Sequence, residues 1–324
     1  MQGEARMGLV DDFGSGGTAF SSRVRISFQA VGQTDGGLSF GASTRADLTG
    51  GNGANPGDAL NPNNGVDSSV FLSGGGFTIS MGDVDGAAQA AAGQVDGVGF
   101  TGLGDLNEIE FIGTGGVSAY FLDAYTDALE SLTITGDPTL LLQYTTGDLS
   151  LYASVSQPTY RFAEACCTWT DITARSLGAA YAFDRVRVSL GYETWKGMTA
   201  PAVHASTKNL SLGIDTDLGP VALKARYAVG DTVFFGTDYQ DLTQWAVSAT
   251  YRADALSLTV FVNDRSAVVP GSWTIDHKAI GVGAAYDLGG GASLAGGIVR
   301  KTEDIDVDPE ETTTAVDLGL NFTF

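Results

Sequence analysis

Ala315-Val316-Asp317-Leu318-Gly319-Leu320-Asn321-Phe322-Thr323-Phe324 puts Val, Leu, Leu, Phe and Phe on one parity and Ala, Asp, Gly, Asn and Thr on the other. A period of two marks a β-strand with one apolar and one polar face. Working back along the chain, the same alternation recurs. Ile280, Val282, Ala284 and Tyr286 oppose Ala279, Gly281, Ala285 and Asp287, and Leu256, Leu258, Val260 and Val262 alternate with Ser257, Thr259, Phe261 and Asn263. Val221, Leu223, Ala225 and Tyr227 alternate with Ala222, Lys224, Arg226 and Ala228; Leu210, Leu212 and Ile214 with Ser211, Gly213 and Asp215; and Val186, Val188, Leu190 and Tyr192 with Arg187, Ser189, Gly191 and Glu193. Charges keep to the polar parity.

The connections set the architecture. Short turn signals stand at Asp35-Gly36-Gly37, Gly74-Gly75-Gly76, Gly147-Asp148, Asp184-Arg185, Leu218-Gly219-Pro220, Ala253-Asp254 and Gly289-Gly290-Gly291, all rich in residues that accept positive φ or start a turn. Between them lie longer polar segments near Asp11–Phe20, Thr49–Asp67, Val84–Asp137, Pro158–Asp171, Lys196–Thr207, Gly230–Asp241, Asp264–Ile275 and Thr302–Thr312. Eight loops and seven turns predict sixteen strands. Alternating short turns and long loops is the habit of outer-membrane barrels, so the expected fold is all-β: a closed antiparallel 16-stranded transmembrane β-barrel, one domain over 1–324. Tyr144, Tyr152, Tyr181, Phe183, Tyr192, Trp195, Tyr227, Trp245, Tyr251, Tyr286, Phe322 and Phe324 fall mostly near strand ends, where interfacial girdles are expected.

Composition narrows the function classes. Lys and Arg number 17 against 38 Asp and Glu, and the net charge of −21 repels nucleic acid. No run of eighteen apolar residues exists, so a barrel is the available way to span hydrocarbon with every backbone polar group paired. No secretory signal precedes the first strand-like segment; Met1-Gln2 reads as an initiator standing where a mature N-terminus would begin, with the export signal absent from this chain. Cys166 and Cys167 are adjacent, which precludes a long-range disulfide framework, and they receive no role. His204 and His277 lack the spaced partners of a zinc site, and Leu288-Gly289-Gly290-Gly291-Ala292 lacks the Lys and Ser/Thr of a phosphate loop, so catalysis is not expected.

The informative constellation is electrostatic. From Ala46 to Tyr160 there is no Lys or Arg, and within 84–137 the acids Asp85, Asp96, Asp105, Glu108, Glu110, Asp123, Asp127, Glu130 and Asp137 stand uncompensated. Arg6, Arg23, Arg25 and Arg45 fall on the polar parity of the first three strands. A segment of this length is functional or separately structured. Folded into the lumen, its carboxylates would face the arginine row and impose a transverse field and a size limit; lying outside, it is a solvated acidic loop.

Several stretches resemble a known family: Glu4-Ala5-Arg6-Met7-Gly8-Leu9, Ser21-Ser22-Arg23-Val24-Arg25-Ile26, Gly37-Leu38-Ser39-Phe40-Gly41-Ala42, Val70-Phe71-Leu72-Ser73-Gly74, Met81-Gly82-Asp83, Ala285-Tyr286-Asp287-Leu288-Gly289-Gly290-Gly291-Ala292-Ser293 and the strand Val316 to Phe324. Together they are similar to the general, non-specific outer-membrane porins of the Rhodobacter type. The resemblance implies a homotrimer of sixteen-stranded barrels in the bacterial outer membrane, among lipid and lipopolysaccharide, passing small polar solutes and ions. It implies an inward loop, here 84–137, and an eyelet with Arg6, Arg23, Arg25 and Arg45 on the wall and Asp96, Asp105, Glu108 and Glu110 on the loop. Where relatives can carry a further basic residue two positions before the last wall arginine, this chain has Ser43, which weakens the positive wall. No cofactor is required, but the family implies calcium as a structural ion, with Asp105 and Glu108 as its candidate ligands. The terminal Phe324 resembles the ending recognised by the barrel-assembly machinery. Two other classes stay open from the residues alone: an outer-membrane barrel hydrolase, which would need His204 or His277, and a soluble β-rich binding protein.

Overall fold

The structure is a computed structural model and describes the chain except residues 12, 14–16, 51–66, 113–131, 136–138, 157–158, 163–168, 200–202, 235, 272 and 307–308. The strands are β1 (Gln2–Asp11), β2 (Thr18–Gln33), β3 (Ser39–Gly50), β4 (Asp67–Gly74), β5 (Phe77–Gly82), β6 (Leu132–Thr135), β7 (Thr139–Thr146), β8 (Leu149–Ser156), β9 (Thr159–Phe162), β10 (Trp169–Phe183), β11 (Val186–Thr199), β12 (Val203–Leu218), β13 (Val221–Phe234), β14 (Thr237–Ala253), β15 (Leu256–Val268), β16 (Thr274–Gly289), β17 (Ala292–Ile305) and β18 (Glu311–Thr323). Sixteen of them form a closed barrel in which each strand pairs antiparallel with its neighbours. The remaining two, β6 and β9, pair with each other in a separate two-stranded sheet.

Closure is made by the ends of the chain. Strand β1 pairs with β18, with Met7 opposite Leu320, and Gly3 and Phe324 exchange backbone hydrogen bonds of 2.7 and 2.9 Å. No sheet edge is left between them to recruit another strand.

The apolar parity faces outward. Leu190, Ile280 and Leu318 are 52, 53 and 56 % exposed, and their equivalents recur around the circumference. Such an apolar belt suits hydrocarbon and not water, which removes the soluble binding protein from consideration. The inner parity is small or polar: Ser211, Ala228, Ala246, Ser248 and Ala315 are buried. Among the aromatics assigned to girdles, two are exceptions: Trp195 stands on the inner parity of β11 at 3 % exposure, and Tyr152 shares the inner parity of β8 with Ser154.

All seven predicted turns are present between their strands. The predicted loops 196–207, 230–241, 264–275 and 302–312 are instead mostly strand, since β11–β18 run on to Thr199, from Val203, to Phe234 and so forth. Strands of 13 to 17 residues exceed the roughly 9–11 needed to cross the apolar band, so the ladders continue past it with polar side chains on both faces. The segment 84–137, read as a loop throughout, includes β6 and a one-turn-and-a-half helix, α1 (Ala87–Ala92). Cys166, Cys167, Asp123, Asp127, Glu130 and Asp137 lie outside the described residues.

Candidate functional site

After β5 the chain turns inward, and residues 83–112 lie against the inner face of the barrel. The outbound arm is pinned strand by strand. Ser154 of β8 accepts from the Ala87 amide (2.9 Å), Ser176 of β10 from Ala88 (2.8 Å), Ser248 of β14 from Asp96 (2.9 Å), and Asp317 of β18 from both the amide (2.8 Å) and hydroxyl (2.6 Å) of Thr101. Arg226 of β13 donates to the Gly93 carbonyl at 3.0 Å. The chain reverses over 102–105, where Gly102, Leu103, Gly104 and Asp105 all have positive φ. The return arm is held by Asn263 of β15 on the Glu108 carbonyl, Gln244 of β14 on both the amide and carbonyl of Glu110, and Glu193 of β11 on the Ile112 amide. Gln94 exchanges two hydrogen bonds with Ile109, and Asn107 donates to the Val95 carbonyl, which laces the two arms together.

The small inner parity is what admits this loop. A Cβ on Gly178 would stand 2.3 Å from the Ala87 carbonyl oxygen, and one on Gly297 would stand 2.6 Å from the Gly99 nitrogen. Two apolar clusters seal the contact. Ala88, Ala92, Val95, Ile109 and Phe111 pack on Ala228 and Ala246, while Val98 and Leu103 pack on Val10, Phe261, Ala279, Val299 and Ala315. The interior packing of this barrel is therefore mainly loop against wall, with a smaller cluster of Leu242, Ala267 and Ile275 on the wall alone.

The predicted acids separate into two groups. Asp105, at the reversal, lies in the fields of Arg6 and Arg23; burial raises its carboxyl above the ordinary value and those two guanidiniums oppose the rise. Glu108 is pushed up to about 7, first by burial and then by the neighbouring carboxylates Asp105 and Asp85. Asp96 and Glu110 differ from the expectation. Asp96 pairs with Lys224 of β13 at 2.6 Å and accepts from Thr250 of β14, and Glu110 pairs with Arg265 of β15. Burial works against the charge of Asp96, but hydrogen bonds from Lys224 and Thr250 and the fields of Lys224 and Arg252 outweigh it and hold the carboxyl below its ordinary value. Both acids neutralise cations of the wall on which the loop rests.

Of the predicted cations, Arg6 is 5 % exposed, donates to the Thr101 carbonyl at 3.2 Å and stands 5.9 Å over the Phe100 ring, so it also holds the loop. Arg23 and Arg25 on β2 and Arg45 on β3 are half-buried on the inner parity, with Arg25 at 3.5 Å from Glu4. Ser43 on the same face meets Ser69 at 2.9 Å. Beside the return arm lies a cavity of about 690 Å³, lined by Asp105, Glu108 and Glu110 on one side and by Arg265, His277, Lys301 and Glu303 on the other. His277 Nδ1 is 3.5 Å from Glu303, and His204 lies in β12 with its side chain outside the described set. Among the described residues no three His, Cys, Asp or Glu side chains come together in metal-holding geometry, so Asp105 and Glu108 are not part of a ready-made carboxylate cage.

The anchors Asp317, Glu193, Gln244 and Asn263 were not singled out from the sequence as site residues. Their signal was present but not distinctive: each is a polar side chain on the inner parity, which it shares with small residues and also with Trp195, Leu242, Phe261 and Arg265.

Comparison with known proteins agrees with this architecture. The model of the Gram-negative porin family matches residues 1–306. The chain is 34 % identical to the porin of Rhodobacter capsulatus, an alignment covering 100 % of this chain and 99 % of that protein. A solved porin structure superposes with a TM-score of 0.71 at 28 % identity, covering 100 % of this chain and 99 % of the other. An outer membrane protein of Vibrio cholerae shares the fold at a TM-score of 0.66 and 11 % identity, over 100 % of this chain and 98 % of that one.

Proposed function

Because this chain belongs to the Gram-negative porin family, and so forms a passive diffusion channel across the bacterial outer membrane, we propose that it selects small hydrophilic solutes and ions at an eyelet between the loop reversal and the wall of β1–β3. The observation that carries this reading is Asp105 held at the loop tip in the fields of Arg6 and Arg23. Opposed charges across a narrow water-filled gap orient dipolar solutes and select ions by charge. In this reading Arg23, Arg25 and Arg45 form the positive side and Asp105 and Glu108 the negative side, while Asp96, Glu110 and Arg6 keep the loop in place. The whole chain acts as one barrel domain, with no catalytic step.

The test is electrical. Protein inserted in a planar bilayer is expected to give open-channel conductance steps, with a reversal potential in a salt gradient that depends on the charges at Arg23 and Asp105. A folded, inserted barrel that gives no steps overturns the reading.

Two assembly features belong to the same proposal. The barrel functions as a homotrimer in contact with lipid and lipopolysaccharide, which crosslinking in membranes would register as a three-subunit species. Calcium would be held at the loop by Asp105 and Glu108; the support is the mutual repulsion of carboxylates that a divalent ion would relieve. Calorimetric titration with calcium is expected to show a site that Glu108→Gln weakens.

A further inference from the structure

The cavity of about 690 Å³ beside the return arm of the loop has a wall that the eyelet does not use. Three strands build it. In the strand register Arg265 of β15 stands opposite His277 of β16, which stands opposite Glu303 of β17. Two residues nearer the short turns, Asn263, Ala279 and Lys301 form a second row, in which only the methyl group of Ala279 separates Asn263 from Lys301. Adjacent strands are about 4.8 Å apart, so Lys301 roots about 10 Å from Asn263. Asn263 in turn donates to the Glu108 carbonyl at 2.6 Å, which places that loop acid beside the same stretch of wall.

Much of the charge on this wall is already matched. Arg265 pairs with Glu110, and Glu303 is shared by Lys301 at 3.3 Å and His277 Nδ1 at 3.5 Å. On the loop side Asp105 and Glu108 are exposed, line the cavity, and belong to no ion pair among the described residues. The cavity therefore presents two uncommitted carboxylates on the loop and, on the wall, an ammonium that shares its acid with a histidine. Leu106 and Ile109 also line it. Arg265 is nine residues on from Leu256, where β15 leaves its turn, and Lys301 is nine on from Ala292, where β17 leaves its own. At about 3.3 Å per residue both lie in the long-loop half of the barrel, so the cavity belongs to the external vestibule.

Opposite charges held apart in a partly apolar cavity match a solute that carries an ammonium at one end, a carboxylate at the other and an apolar group between. An extended dipeptide spans about 7 Å between its charged ends, which suits side chains reaching toward each other from roots about 10 Å apart. A free amino acid carries both charges on one carbon and spans too little. We propose that this vestibule cavity binds short zwitterionic peptides, with the ammonium end at Asp105 and Glu108 and the carboxylate end at Lys301. Glu108 gains from such a guest, because an ammonium beside it offsets the burial and the neighbouring carboxylates that push its carboxyl up to about 7. A site of this kind collects peptide next to the eyelet and saturates, since conduction needs binding strong enough to favour entry and weak enough to allow exit. The proposal rests on the channel reading and adds to it a preferred class of solute.

The test is single-channel recording in a planar bilayer with the dipeptide alanyl-leucine on both sides, a calcium chelator present and the pH held at about 8, where Glu108 is ionised. Wild-type channels are expected to show brief interruptions of the open current whose total duration saturates as the peptide concentration rises. Lys301→Gln, read against its own open current, should raise the half-saturating concentration about tenfold, the loss of one charge-assisted hydrogen bond, and Lys301→Arg should restore it. An unchanged value in Lys301→Gln overturns the site. The same peptide acetylated at its amine and amidated at its carboxyl should bind at least about tenfold more weakly to the wild type. Equal binding of this capped form would mark an effect of size and overturn the assignment to zwitterions. If Lys301→Gln fails to fold, singly capped peptides on the wild type decide: acetylation removes the ammonium, amidation removes the carboxylate, and either modification without effect overturns the proposal. A wild type that conducts but ignores the peptide overturns this proposal alone, whereas one that gives no conductance steps overturns the channel reading beneath it.

Discussion

Asp105 and Glu108 are three residues apart and meet opposite surroundings. Asp105 has Arg6 and Arg23 to offset its burial, while Glu108 has two carboxylates that add to it. Glu108, with its carboxyl near 7, is protonated below neutrality and gains its charge as pH rises through that value. In calcium-free medium, cation permeability relative to anions is therefore expected to increase between about pH 6 and pH 8, a span set by titration around that value. Reversal potentials across a salt gradient would register this, and Glu108→Gln should flatten the profile. The linked effect on folding has the opposite sense. An acid whose folded value is raised holds more protons folded than unfolded between its ordinary value and about 7, so its contribution to stability falls as pH climbs through that window. Replacing Arg23 by Gln should move selectivity toward cations by roughly twofold or more, since exposed charge pairs of this kind contribute up to about 1 kcal/mol. An unchanged reversal potential would place Arg23 away from the constriction. Parity alone told that Arg6, Arg23, Arg25 and Arg45 point inward. It could not tell that Asp96 would meet Lys224 and Glu110 would meet Arg265, because those partners are 128 and 155 residues away and share their parity with many others.

At the scale of elements, the loop is stiff because each stretch of it is tied to a different strand. Asp317 is the strongest single tie: it is 3 % exposed and accepts from Thr101 twice and from the Gly297 amide at 2.9 Å. Asp317→Ala would leave those donors without an acceptor, at roughly 1–3 kcal/mol for each one kept from water. The expected results are a lower urea midpoint for the refolded barrel and noisier single-channel currents from a loosened loop. Gly178→Leu should act on the same element from the other end by displacing α1, and wild-type currents in that variant would show that the helix seat does not control the opening. The hairpins were legible because their turns need residues tolerant of positive φ, as at Gly147, Asp184, Gly219 and Asp254. Four of the external loops were misread. Once a ladder leaves the membrane, both faces can be polar, and alternation vanishes although the backbone pairing continues. The helix α1 was also hidden, since six residues of Ala and Gln carry little periodicity and owe their form to the glycine-lined wall.

For the whole molecule, the barrel is an inverted protein whose apolar side meets lipid and whose polar side meets water. Leu212, flanked in the register by Leu190 and Tyr227, belongs to the outward belt. Leu212→Arg is expected to destabilise the lipid-inserted barrel by about 2–4 kcal/mol, read from denaturant unfolding in vesicles. A change near zero would place this residue outside the hydrocarbon. Fifteen of the sixteen pairings in the barrel join strands that are neighbours in chain order or separated only by the short accessory strands. The seam between the first and last strands is different, because it unites segments more than three hundred positions apart. Assembly can therefore proceed as a growing curved sheet, hairpin by hairpin, but the cylinder cannot shut until its final strand arrives. That junction closes the longest loop in the barrel, so a cut or deletion in the last dozen residues should leave a gutter where the intact chain makes a tube.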